Sequence, residues 1–365
     1  MQIGSISPGL STLALQAPRA EEPATTVATS GDLGPRLVHA GDGSPWTPQG
    51  QGYLEGSGSR PGQILTTYSG GRSDGVLLSI QDINQSPDSD ADHAVILGGL
   101  PSTTAFGATS PPPDKAGGVA TDGTHVYVAD TEAVYVYLLS DIQASRAGLC
   151  GVPVAAVDRI EMPDGARASY LNIKDGKLYI GEFKSTVDAL KEKIGSENPP
   201  QSPGVLFGKV ILPTVEAFTP LELGQLEGHP QMLVYDIDAA SGSFDPDQPA
   251  QSFEIPFDTQ GVAITDQGLL FTRSYGSFEL NVAHGLKIDA PHELTFLERE
   301  GDGYEAASDA SKVADLDYYA EGVNIIEGEV WVTYESAADK YRDKVEPQEN
   351  IQRIPLADVD IPDPE

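Results

Sequence analysis

This 365-residue chain has a single cysteine, Cys150. That count excludes an intramolecular disulfide framework and a thiolate metal cluster. With Leu149 and Val152 beside it and no histidine close in sequence to lower its pKa, Cys150 reads as a buried packing thiol, not a nucleophile.

Basic residues are also scarce, with 22 Lys and Arg set against 55 Asp and Glu for a formal net charge of -33. Such a field repels nucleic acid phosphates and anionic lipid headgroups, so neither is expected as a partner. No apolar run is long enough to cross a bilayer as a helix, so no membrane insertion is expected. Residues 1–30 have neither a basic start nor a continuous hydrophobic stretch, so no signal peptide is expected within this chain.

Hydrolase signatures are missing as well. There is no G-x-S-x-G elbow, and the histidines at 39, 93, 125, 229, 284 and 292 are scattered. His125 reads as a hairpin-turn residue. His284 and His292 fall in an irregular connection from which they could approach Arg273 at the channel face, but a chance exposed pair is the favoured reading. The acidic stretches 86–92, 236–247 and 298–305 lack the oxygen spacing of an EF-hand loop and read as solvated turns.

What the chain does have is glycine (39), proline (28) and short alternating apolar runs, the composition of an all-β fold with many tight turns. One pattern repeats: GGVATDGTHVYVAD from 117, SYLNIKDGKLYIGE from 169, QGVAITDQGLLFTRS from 260 and EGVNIIEGEVWVTYE from 321. Each copy is a strand, a Gly-bearing turn and a second strand of β-branched and aromatic residues, which is a hairpin. Gly123, Gly176, Gly268 and Gly328 are assigned the positive φ of the turn. A degraded first copy runs from Gln49 to Ser69 around the tract EGSGSRPG.

Two further strand-like runs follow each hairpin, for example GVLLSIQD and HAVILGG, so each unit is a four-stranded meander. The expected fold is a β-propeller of five four-stranded blades, with six possible if GVLFGKVIL at 204–212 belongs to a further blade. The last unit runs out before its fourth strand, and PRLVHA at 35–40 is expected to supply it. A short helix is expected near 185–195, with Ser185 and Asp188 as its capping box. The domain reading is an extended or disordered segment over 1–34, one propeller over 35–360 and a tail over 361–365. The Ala-, Pro-, Thr- and Glu-rich stretch at 17–35 has the composition of a linker.

These same hairpin motifs, together with EGVNIIEGEVWVTYESAADKY, resemble secreted bacterial β-propeller repeat proteins of actinobacterial type and, more loosely, NHL and gluconolactonase-like propellers. The likeness covers about residues 45–360. It implies the fold and an extracellular or cell-surface setting, and it names no reaction.

In a propeller, ligands meet the mouth of the central channel, where loops enter the innermost strands and leave the second ones. The repeat alignment places Gln49, Gln51, Asp114, Lys115, Ser169, Tyr170, Gln260 and Glu321 on the first set. Asp130, Glu182, Arg273, Ser274, Tyr334 and Glu335 fall on the second, so the ring is expected to be polar and mainly acidic. The candidate binding set is Gln51, Asp130, Tyr170, Glu182, Gln260, Arg273, Glu321, Tyr334 and Glu335. The expected function is recognition of a protein or carbohydrate partner without catalysis, cofactor or metal, and the stretch TYESAADKYRDK, with Tyr341 and Arg342, suits an interface. The alternative is a Ca2+-dependent hydrolase acting on a lactone or glycan, with Asn172, Asn324 and Glu321 as ligands.

Overall fold

The computed structural model describes residues 32–38, 45–70, 75–88, 93–101, 110–145, 152–186, 189, 205–206, 209–210, 228–274 and 291–361. Cys150, His39, His284 and most of segments 1–34 and 185–195 lie outside them.

The chain begins with β1 (Leu33–Arg36) and then builds a first blade from β2 (Thr47–Leu54), β3 (Gln63–Ser69), β4 (Val76–Asp82) and β5 (His93–Leu97). The second blade is β6 (Val119–Thr121), β7 (His125–Asp130), β8 (Ala133–Leu138) and, after helix α1 (Leu139–Ala144), β9 (Asp158–Glu161). The third opens with β10 (Tyr170–Lys174) and β11 (Lys177–Gly181). A separate two-stranded pair, β12 (Val205–Leu206) and β13 (Lys209–Val210), comes before its outer strands β14 (Gln231–Asp236) and β15 (Gln251–Glu254). The fourth is β16 (Thr259–Ile264), β17 (Gly268–Ser274), β18 (His292–Glu300), the short β19 (Gly303–Tyr304) beside it, and β20 (Ser311–Asp315). The fifth is β21 (Ala320–Ile326), β22 (Glu329–Tyr334), β23 (Asn350–Pro355) and finally β1, brought back from the start of the chain.

The protein is thus a five-bladed β-propeller. Its innermost strands touch in the order β2, β6, β10, β16, β21 and back to β2, which closes the ring. In the segment 204–212, which left six blades open, the described residues form the separate β12–β13 pair.

Ring closure takes the expected form at slightly shifted residues. Leu33 pairs with Gln352 and Arg36 with Asn350, and the Leu37 N–H donates to the Glu349 carbonyl at 2.8 Å. The pairing sits at Leu33–Arg36 because Leu37 and Val38 turn inward and are buried in two apolar clusters. This gives β23 a partner along an edge that would otherwise present unpaired backbone groups.

Each blade is covered on both faces, so its second strand is apolar over most of its length and sends alternate residues to opposite neighbours. On β7, Val126 and Val128 pack with Leu65 and Leu78 of the first blade, while Tyr127 and Ala129 pack with Leu171 and Leu178 of the third. The remaining junctions repeat the arrangement around Phe271 and Val234, Phe296 and Val332, and Trp331 and Ile64.

At the axis the inner strands approach too closely for side chains. A Cβ on Gly118 would lie 2.3 Å from the Leu171 nitrogen, and one on Gly322 would lie 2.4 Å from the Gln51 nitrogen. In the hairpin turns, Gly123, Gly176 and Gly328 do have positive φ. Gly268 does not: the Thr265 hydroxyl accepts from the Gln267 and Gly268 N–H groups and shapes that turn. Glycine is needed there because a Cβ would come within 2.2 Å of the Leu297 carbonyl.

Three local expectations are corrected. His292, expected in an irregular connection, is the first residue of β18. His125 is not in a turn; it is the first residue of β7, buried with its Nδ1 3.0 Å from Asp122 Oδ2. In the expected helix, Thr186 and Ala189 are helical, and Asp258 accepts from both the Thr186 N–H and its hydroxyl. The first turn is therefore held by a carboxylate from a different blade, a partner that local spacing does not reveal. The rest of that helix lies outside the described residues.

Candidate functional site

The starts of the inner strands and the ends of the second strands converge on one end of the channel. There they enclose a cavity of about 560 Å³, within the range of small-molecule sites, roughly 300–1,000 Å³. All five blades contribute: Gln49 and Ser69 from the first, Lys115 and Thr131 from the second, Ser169 and Phe183 from the third, Gln260 and Ser274 from the fourth, Glu321 and Glu335 from the fifth. Arg167, Tyr319, Lys340 and Tyr341 complete the polar and aromatic wall.

Its carboxylates differ in setting. Both oxygens of Glu335 are acceptors, one from the Gln49 amide and the other from the Tyr341 hydroxyl at 2.7 Å. Glu321 is only 8% exposed and its carboxyl receives no hydrogen bond among the described residues. Burial, reinforced by the neighbouring Glu335 charge and only partly offset by Lys115 and Lys340, holds its carboxyl well above the usual carboxylate range. The Tyr341 hydroxyl is raised too, first by burial and then by Glu335.

Aromatic rings form one side of the wall. The centroids of Tyr319 and Tyr341 are 4.3 Å apart, and Lys340 Nζ lies 4.6 Å from the Tyr341 centroid. Nearby, Ser274 Oγ accepts from the Tyr319 N–H at 3.0 Å and lies 3.2 Å from His292 Nδ1. The Gln260 amide donates to the Ser274 carbonyl at 3.1 Å.

Of the candidate binding set, Gln260, Glu321 and Glu335 line the cavity, together with Gln49, Lys115, Ser169 and Ser274 of the wider ring and Tyr341. Gln51 lies two residues along β2 from Gln49, 3% exposed, with both amide atoms buried and without a hydrogen-bond partner in the described structure. Asp130 accepts from the Lys115 N–H at 2.9 Å and the Asp114 N–H at 3.3 Å and so braces the loop that carries Lys115. Burial nevertheless leaves its pKa raised. Tyr170 packs in the core between the third and fourth blades, and Glu182 follows β11 with its N–H on the Gln231 carbonyl at 2.9 Å. Arg273 donates to the Phe257 carbonyl at 2.8 Å and to Glu293 at 2.6 Å, and the Tyr334 hydroxyl donates to Gln352. Arg342 is held by Glu349.

Asn172 and Asn324 lie beneath the mouth. The Asn172 amide donates to Asn324 Oδ1 at 3.2 Å and to the Val262 carbonyl at 2.7 Å, and the Asn324 amide donates to the Gln51 carbonyl at 2.9 Å. Among the described residues no group of three or more His, Cys, Asp and Glu side chains is placed to hold a metal ion.

Sequence reasoning missed Arg167, Phe183, Tyr319 and Lys340. Phe183 and Tyr319 fall just past the end of β11 and just before β21, so the repeat alignment extended slightly at each hairpin end would include them. Arg167 lies in the connection from β9 to β10 and Lys340 in that from β22 to β23, whose equivalents in the other blades differ in length and so give no alignable position. With three cations and two carboxylates in its lining, the cavity is not the mainly acidic ring expected: Asp114, Asp130 and Glu182 fall outside it.

No protein-family model matches the sequence, and no curated protein matches it. Among solved structures, a GH43_1 enzyme from Xanthomonas citri, determined with xylose, is 9% identical at a TM-score of 0.42, with 89% of this chain and 90% of that one covered. A putative oxidoreductase (glucose dehydrogenase) from Thermus thermophilus is 13% identical at 0.39, covering 88% and 99%. A chain of a nidogen/laminin complex is 9% identical at 0.35, covering 79% and 72%. The architecture above rests on the strand ladders themselves, and no residue role is transferred from these proteins.

Proposed function

We propose that this propeller is an extracellular recognition module that holds the end of a glycan in its channel-mouth cavity without transforming it. The observation that carries this reading is the lining of that cavity. Neutral hydrogen-bonding side chains (Gln49, Gln260, Ser69, Thr131) are interleaved with the rings of Phe183, Tyr319 and Tyr341. A sugar has the matching surface: hydroxyls at its edge that donate and accept, and an apolar C–H face that packs on an aromatic ring.

The test is retention on an immobilised glycan array by the native protein and by Ser69→Trp, which places an indole in the cavity from a half-buried position on its wall. Native protein retains a subset of saccharides and the variant, folded by circular dichroism, retains none. Equal retention by both moves the site elsewhere. Melting curves with EDTA and with millimolar calcium separate this reading from a calcium-dependent hydrolase, since a native-state metal site raises the midpoint by mass action.

A further inference from the structure

We propose that the saccharide held in the mouth is anionic, a uronic acid whose carboxylate is taken up by Lys115, Arg167 and Lys340 and accepts a hydrogen bond from the Glu321 carboxyl. This rests on the glycan reading above and names its ligand class.

Three observations support it. The cations come from separate places, Lys115 ahead of β6, Arg167 ahead of β10 and Lys340 after β22, yet all three line one cavity. None of them stands within ion-pair distance of a carboxylate among the described residues. Arg36, Lys177, Arg273 and Arg353, by contrast, are each paired. In a chain with 55 acidic residues and 22 basic ones, a lining with three cations and two carboxyl groups runs against the overall balance and suits an anion.

Glu321 provides the third observation. It is a largely buried residue on the cavity wall whose carboxyl takes no hydrogen bond among the described residues, which leaves it free to bond a ligand there. Burial, which raises its pKa, favours the acid form, with an O–H to donate and no charge to repel an anion. The other lining carboxylate, Glu335, is occupied by Gln49 and Tyr341.

An acid O–H facing a ligand favours a carboxylate over a sulfate ester, because a carboxylate is the more basic acceptor. The charged and titratable groups acting on Glu321 are Glu335, Lys115 and Lys340, with Tyr341 beside them. Loss of the Glu321 proton at higher pH turns a donor into a repelling charge, so uronate binding weakens as pH rises.

Calorimetric titration of the intact protein decides the matter. The probes are disaccharides of glucuronate, galacturonate and mannuronate, each with its methyl ester, together with a sulfated disaccharide. At least one uronate is expected to bind about tenfold more tightly than its own ester. Arg167→Ala and Lys340→Ala each remove most of that difference, while Lys312→Ala, at a surface pair with Asp315, leaves it intact. Glu321→Gln keeps a donor and so retains binding while abolishing its decline with pH, a signature that a purely structural role would not produce.

Equal binding of acids and esters overturns the anionic assignment and leaves the glycan reading standing. Preference for the sulfated sugar overturns the carboxylate assignment. Absence of binding by every probe, with a correctly folded protein, overturns this inference, and failure on the neutral array as well overturns the glycan reading with it.

Discussion

Asn172 on β10 and Asn324 on β21 meet across the channel, with 3.2 Å between amide nitrogen and oxygen, although the blade containing β16 lies between theirs in the ring. The same Asn172 amide holds the Val262 carbonyl of that intervening blade, and Asn324 holds the Gln51 carbonyl of the first. Four of the five inner strands are thus tied by two side chains beneath the mouth. The cavity is therefore a cup with a braced floor.

Removing that brace leaves buried acceptors without donors. Asn172→Ala is expected to lower unfolding stability by about 1–3 kcal/mol, the usual cost of an unsatisfied buried group. Urea denaturation monitored through the two tryptophans reads this directly; a loss under half a kilocalorie per mole would mean that water replaces the amide at no cost.

Ring closure predicts a larger effect. Deleting residues 1–38 removes β1 and the buried Leu37 and Val38, and it exposes the β23 edge. The shortened protein is expected to melt well below the full chain and to self-associate in sedimentation experiments, as unpaired edges do. An unchanged midpoint and a monomeric profile would contradict the closing role.

Much of this architecture is legible in the sequence because the hairpin repeat encodes it twice, in the turn glycine and in the largely apolar second strand such as HVYVAD. The starts of the inner strands, with Gln260 and Glu321, and the ends of the second strands, with Glu335, follow from the alignment alone. Arg167 and Lys340 did not follow, because the connections carrying them differ in length from their equivalents in the other blades and only the ring brings them to one place. Asp258 as partner of Thr186 was hidden for the same reason: the contact joins residues 72 apart in sequence.

Gly322→Ala tests the close approach at the axis. The added methyl would meet the backbone nitrogen of Gln51 at 2.4 Å, and Gln51 is held by its pairing with Thr66 on β3. A loss of about 1–3 kcal/mol is expected, as for other overpacked cores, with Gly123→Ala, whose Cβ meets open space, as a comparison limited to its positive φ.

Glu321 makes stability pH-dependent with a definite sign. Its folded-state pKa is raised, so the native state holds a proton that the unfolded chain releases at the ordinary carboxylate value. Its contribution is complete below that value and is lost as pH rises through the folded-state pKa, at a slope of at most about 1.4 kcal/mol per pH unit for one proton. Glu321→Gln is expected to flatten the decline of the melting midpoint toward alkaline pH; a decline identical to that of the native protein would show that other groups cause it.

The central claim is that the channel-mouth cup is where this protein meets its ligand. Backbone amide shifts recorded by NMR while the best-retained saccharide is titrated in test it most directly. The account predicts perturbations confined to the mouth, at Gln49, Lys115, Ser169, Gln260, Tyr319 and Tyr341, with the outer strands β5, β9 and β15 unaffected. Perturbations centred on those outer strands, with the mouth silent, would contradict it.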